Sequence, residues 1–124
     1  MYNRFYICKD CGTILEAVNN NGRGKVCCGK TMEALKANST DAAMEKHVPI
    51  YRKIDNKIEA TIGSVVHPME ENHYIEWIEL VTKNSTNRVY FKAGDLPKAT
   101  FDYAPGSIIY AYCNKHSLWK CDVQ

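Results

Sequence analysis

The chain has 124 residues, of which 45% are hydrophobic and 24% charged, the composition of one ordinary soluble domain or of a small domain beside a very small one. That balance excludes a disordered tail, a collagen-like fibre and a coiled coil. Sixteen Lys and Arg against fourteen Asp and Glu leave a net charge of +2, less positive charge than a nucleic-acid binder usually concentrates. No apolar run approaches the roughly 20 residues of a bilayer-spanning helix, and the first ten residues lack the apolar stretch of a signal peptide. The expected setting is cytoplasmic and reducing, with no nucleic-acid or membrane partner. Six cysteines in such a setting read as metal ligands or catalytic groups rather than as disulfides.

Residues 1–36 form a first segment too small for a self-sufficient core, since below ~40 residues a fold usually needs a metal, disulfides or a partner chain. Cys8-Lys9-Asp10-Cys11-Gly12 is a knuckle: two thiolates three residues apart, then a glycine that lets the backbone turn back toward a metal. Asn19-Asn20-Asn21-Gly22-Arg23-Gly24 reads as a turn between short strands. Cys27-Cys28-Gly29 supplies two further thiolates, and neighbouring side chains reach one metal only if the backbone between them bends. Four thiolates suit zinc or iron, and spacing alone leaves both a fold-holding zinc and a one-electron iron centre open.

The polar stretch Lys36-Ala37-Asn38-Ser39-Thr40 is the candidate linker, so the second segment is 37–124. Ser39 or Thr40 is placed to cap a short helix over Asp41 to Glu45. From Ile50 the chain reads as all-β, with strands near 50–55, 58–66, 74–82, 88–92, 100–104, 107–113 and 117–120. Ile58, Ala60 and Ile62 alternate with Glu59 and Thr61, the period of a half-buried strand. Ile75, Trp77, Ile78 and Val81 would also suit one face of a helix, which makes 74–82 the ambiguous element. Turn residues such as Asp55-Asn56, Pro105-Gly106 and Asn114-Lys115 separate the strands. Seven short strands of this kind suggest an immunoglobulin-like antiparallel β-sandwich.

All four histidines lie after residue 40: His47, His67, His73 and His116, each at an expected loop or strand end. The last belongs to Cys113-Asn114-Lys115-His116, a tight turn between two strands. If the four share one metal with Cys113, the set is four imidazoles and a thiolate. Five protein ligands on a metal that accepts six leave one position open, which separates a reactive site from a closed structural one. Blue copper would want two histidines, a cysteine and a weak axial ligand, so iron fits this set best.

These residues resemble those of the desulfoferrodoxin family, the two-iron superoxide reductases. The resemblance rests on Cys8, Cys11, Cys27 and Cys28, on Glu45-Lys46-His47-Val48-Pro49, on His67 and His73, and on the Cys113–His116 turn, and it covers essentially the whole chain. It implies an all-β protein: a desulforedoxin-like four-cysteine iron domain over 1–36, followed by a superoxide reductase β-sandwich over 37–124. It implies two irons per chain, the second held by His47, His67, His73 and His116 with Cys113 axial and an open position opposite the sulfur. Superoxide is then the substrate and hydrogen peroxide the product, with electrons from an external donor such as rubredoxin, and a homodimer is expected. Lys46 would attract the anion, and Glu45 would close on the iron once product leaves. Ser117 stands where the family often has glycine, and Cys121 has no family role. The alternatives are an iron electron carrier without catalysis of its own and a zinc-stabilised binding module.

Overall fold

Where apolar residues do not alternate for long, strands stay short. In the computed structural model, which describes residues 3–65 and 67–124, the chain divides into two units, Met1–Lys36 and Ala37–Gln124. In the first, β1 (Phe5–Ile7) pairs antiparallel with β2 (Ile14–Glu16) on one side and β5 (Glu33–Ala34) on the other, while β3 (Val26–Cys27) and β4 (Lys30–Thr31) form a separate two-residue ladder. Its buried apolar side chains among the described residues are Phe5, Cys8 and Met32, too few to hold 36 residues without a staple. The Asn19–Gly24 segment is the expected connection between strands, carrying none of its own.

The second unit is a sandwich of two antiparallel sheets. One has the order β10-β7-β6, built from β6 (Pro49–Ile54), β7 (Lys57–Ile62) and β10 (Lys98–Asp102). The other has the order β12-β11-β8-β9, built from β8 (Ile75–Val81), β9 (Thr86–Tyr90), β11 (Ile108–Cys113) and β12 (Ser117–Asp122). The core lies between them, with Ile58, Ala60 and Ile62 of β7 and Ala99 and Phe101 of β10 meeting Ile75, Ile78 and Leu80 of β8 and Ile109, Ala111 and Cys113 of β11. Seven strands were expected here and seven are found, in an all-β protein of the expected class.

Two local expectations differ by more than two residues, and the ambiguous one is found as the strand it was read to be. The strand expected over 58–66 ends at Ile62, because Gly63 turns the backbone out of the sheet at φ +72°; Val66, at its expected end, lies outside the described residues. The helix expected over 41–45 is instead α1 (Met44–His47), with Ala43 at its start and no side-chain cap. It ends at Val48, which is extended because it precedes Pro49. The ambiguous segment is the strand β8. It lacks alternation because it is a central strand covered on both faces, with Ile78 and Leu80 in the core and Trp77 and Glu79 buried on the reverse face. Glu79 is held there by Arg88, directly opposite on β9.

Two candidate metal centres

In the first unit the four thiol sulfurs of Cys8, Cys11, Cys27 and Cys28 lie within 4.8 Å of one another. The knuckle closes as expected: Gly12 donates its N–H to the Cys8 carbonyl at 2.7 Å and takes φ +80°. The adjacent pair converges because Cys28 itself adopts a left-handed backbone, φ +53°, followed by Gly29 at φ +73°, so successive side chains need not point apart. Cys11 Sγ is 3.6 Å from Cys27 Sγ and 3.1 Å from the Thr13 hydroxyl. The Thr13 hydroxyl and backbone hold the Cys11 thiol down to about 6, whereas hydrogen bonds with Cys8 and Cys11 push Cys27 up to about 12. Crowded sulfurs of this kind cannot all ionise by themselves, and a shared cation removes that conflict. All four cysteines are free thiols, so the donor set fits a tetrahedral ion.

In the second unit four imidazoles form a near-square. Neighbouring rings stand almost perpendicular: His47–His67 at 4.7 Å, His67–His73 at 4.9 Å, His73–His116 at 5.0 Å and His47–His116 at 4.8 Å between centroids. Across the diagonal, His47 and His73 are 6.3 Å apart and nearly parallel, at 25°. Ligand atoms of His47, His73, Cys113 and His116 all lie within 4.8 Å of one another, and His67 completes the ring.

Each corner is set by local structure. His47 is the last residue of α1, and its Nδ1 is fixed at 2.7 Å from the Ala43 carbonyl. His67 Nδ1 sits 2.6 Å from the Pro68 carbonyl. His73 closes a two-residue turn on Glu70, with backbone hydrogen bonds in both directions. Cys113 ends β11, where a register shift lets it pair with Ile75 while Tyr112 still faces Trp77; the bulge re-aims the strand end. Asn114 ties the two turns together: its Oδ1 accepts from the Tyr74 N–H at 2.9 Å and its Nδ2 donates to the Asn72 carbonyl.

The electrostatics favour metal binding. Burial is the main cause that lowers the pKa of His47, His67 and His73, with His67 brought down to about 4, so the rings are neutral and carry free lone pairs at physiological pH. Among the described residues His67 Nε2 and His73 Nε2 are buried without a hydrogen-bond partner, and His116 Nδ1 faces His47 Nε2 at 3.0 Å. Buried ring nitrogens left unpaired are costly, and a cation at the centre of the square satisfies them together. The Cys113 thiol is fully buried; burial raises its pKa, while the backbone N–H groups of Lys115 and His116 act the other way. Four imidazoles and one thiol thus fit an intermediate-to-soft transition metal.

The Desulfoferrodoxin family model matches residues 39–122. A desulfoferrodoxin from Syntrophotalea carbinolica is 43% identical over 118 residues, spanning 94% of both chains. The chain belongs to the desulfoferrodoxin family. A superoxide reductase from Pyrococcus abyssi is 35% identical over 106 residues, 69% of this chain and 92% of its own. The crystal structure of the superoxide reductase from Treponema pallidum superposes with a TM-score of 0.73 at 25% identity, covering 95% of this chain and 98% of that one.

Several residues that shape this desulfoferrodoxin site carried no signal in the sequence reading. Gly63 is one. Its N–H donates to the Val48 carbonyl at 3.0 Å, Val65 donates to the Glu45 carbonyl at 3.0 Å, and a Cβ on Gly63 would meet the Glu45 carbonyl oxygen and sit 2.8 Å from Lys46 Cα. The exposed Glu45 and Lys46 therefore ride on a backbone pressed against glycine. Ser117 takes φ +69° where it closes the tight turn against Cys113, a backbone conformation that glycine adopts at less cost. Cys121 is half-buried against the core, its thiol pushed up to about 11 chiefly by burial, and it touches neither cluster's set.

Two substitutions check these backbone arguments by urea unfolding. Gly63→Ala should destabilise the protein by about 2 kcal/mol or more, because left-handed strain and a backbone clash add; Gly106→Ala, left-handed with open space around it, should cost clearly less. Ser117→Gly should stabilise by about 0.5–1 kcal/mol, since it relieves left-handed strain at some entropic expense.

Proposed function

We propose that this protein is a superoxide reductase, an oxidoreductase that gives superoxide one electron and two protons and releases hydrogen peroxide. The observation that carries the reading is the square of four imidazoles beside a buried thiol, with exposed Lys46 on the helix that ends in His47. We assign His47, His67, His73, Cys113 and His116 as the ligands of the catalytic iron. The chemistry that iron supplies there is one-electron transfer between its ferrous and ferric states.

The chain's residues do the rest. Cys113 donates electron density from the core side, which favours placing charge on an oxygen species, and the Lys115 and His116 N–H groups temper that donation. Lys46 draws the anion in: at ~4 Å and an effective dielectric near 20 a unit charge pair is worth roughly 4 kcal/mol before screening. That figure is a ceiling for an exposed lysine, and its main effect is on the encounter rate. Glu45, its neighbour on α1, is assigned the closing of the site after product leaves. Protons come from water, because the four imidazoles are committed as ligands.

The finer assignments belong to the same proposal. Residues 1–36 act as a desulforedoxin-like domain with iron on Cys8, Cys11, Cys27 and Cys28, and 37–124 as the catalytic sandwich. Electrons arrive from an external one-electron carrier such as rubredoxin. A first unit with so small a core has reason to bury apolar surface in a homodimer. Free thiols in both clusters suit the reducing cytoplasm, and among the described residues no helix is long and apolar enough to cross a membrane.

Superoxide generated by a radiation pulse and mixed with the reduced protein should yield one peroxide per superoxide and no oxygen. Release of oxygen would make the protein a dismutase, and an unchanged superoxide decay would reduce it to an electron carrier. In the same experiment Lys46→Ala should slow the bimolecular step by about tenfold and flatten its dependence on salt; an unchanged rate removes steering by Lys46.

A further inference from the structure

Trp119 is fully buried, yet it does more than fill the core. Its indole lies along the face of the His47 imidazole, 4.9 Å between ring centroids and 24° from parallel. Its Nε1–H donates to the His116 carbonyl at 2.9 Å. One rigid side chain on β12 thus touches two corners of the imidazole square that are 69 residues apart in sequence.

We propose that Trp119 is a positioning residue of the metal centre, a strut that sets the angle between the His47 and His116 rings before an ion arrives. The inference rests on the ligand assignment made under Proposed function. The contact of Nδ1 with the Ala43 carbonyl fixes one point of the His47 ring, and its other nitrogen meets a second ring of the square, His116 Nδ1 at 3.0 Å, which can move with it, so neither contact sets the tilt of the ring. The stacked indole sets that tilt. His116 is held differently: the turn that carries it is pinned at its backbone carbonyl, so the ring leaves the chain in a fixed direction. The other two corners have their own supports, the Pro68 carbonyl for His67 and the Glu70 turn with Asn114 for His73. A site held in its binding geometry in advance loses less freedom when the ion binds, and that saving appears as affinity.

Cobalt titration of the metal-free full-length protein separates this role from simple packing, because the four-cysteine centre in the same chain serves as an internal control. Trp119→Phe keeps an aromatic face on His47 but cannot donate to His116; Trp119→Leu loses both contacts. Cobalt affinity at the histidine–cysteine centre should fall about 3- to 10-fold in the Phe variant and more than tenfold in the Leu variant, with affinity at the four-cysteine centre unchanged. Histidine ring-proton shifts of the metal-free protein should also move in the Leu variant, as His47 leaves the indole's ring current. Equal affinity in wild type and the Phe variant, or equal losses at both centres, would overturn the proposal and leave Trp119 a packing residue. If the Leu variant does not fold, the Phe variant decides alone. A wild-type protein that takes up cobalt only at the four cysteines would instead overturn the ligand assignment itself.

Discussion

Four buried or half-buried imidazoles and a fully buried thiol cannot share one corner of a sandwich without a reason for their lone pairs to face inward. Imidazoles that find hydrogen-bond partners on both nitrogens would turn outward, toward carbonyls or water. Here the outer nitrogens of His47 and His67 are tied to the carbonyls of Ala43 and Pro68, while among the described residues the inner one of His47 meets His116 and that of His67 has no partner. Unpaired buried nitrogens cost free energy in the metal-free chain, and that cost is recovered only on binding a cation. The architecture around the site can be read as the means of holding five donors in an arrangement that is unfavourable without one.

The hairpin of β11 and β12 carries most of this constraint. Within seven residues it supplies Cys113, Asn114, His116, Ser117 and Trp119, each with a different task. The bulge at the end of β11 aims the thiol, Asn114 binds the neighbouring turn, and Ser117 accepts a left-handed backbone so that the strand can reverse at once. A longer turn would relax the strain at Ser117 and lose the short path from the sulfur to the N–H groups of Lys115 and His116. The strain is therefore a consequence of packing a ligand, its hydrogen-bond donors and a second ligand into four residues.

The residues that meet in the two clusters were legible in the sequence because metal chemistry restricts residue type: cysteines and histidines stand out against any composition. The strands of the sandwich were legible wherever one face met water, as in β7 and β10, where burial alternates residue by residue. Legibility failed where that alternation fails. Strand β8 is buried on both faces and mimicked a helix, and α1 begins three residues later than its cap residues suggested, because tertiary hydrogen bonds from Gly63 and Val65 position it rather than local capping. Gly63 and Trp119 were invisible as site residues, and Asn114 visible only as part of a turn, for a related reason. Their roles are contacts across long sequence separations, and a glycine, an asparagine or a tryptophan is chemically unremarkable until its neighbours are known.

The two clusters solve the same problem with opposite means. Of the four thiols of the first unit Cys8 is buried, Cys27 half-buried and Cys11 and Cys28 exposed, and three left-handed residues, Gly12, Cys28 and Gly29, bring them together. A unit with so small a core has need of an ion, or of some other staple, to hold its fold. The histidine–cysteine cluster instead stands on a sandwich whose core is complete without it, so the framework can afford an unsaturated ion. A fold that relied on that ion for stability would be selected to close every coordination position. One that does not is free to leave a coordination position empty, and an empty position is what a small anion needs if it is to react at a metal centre rather than merely exchange electrons with it at a distance.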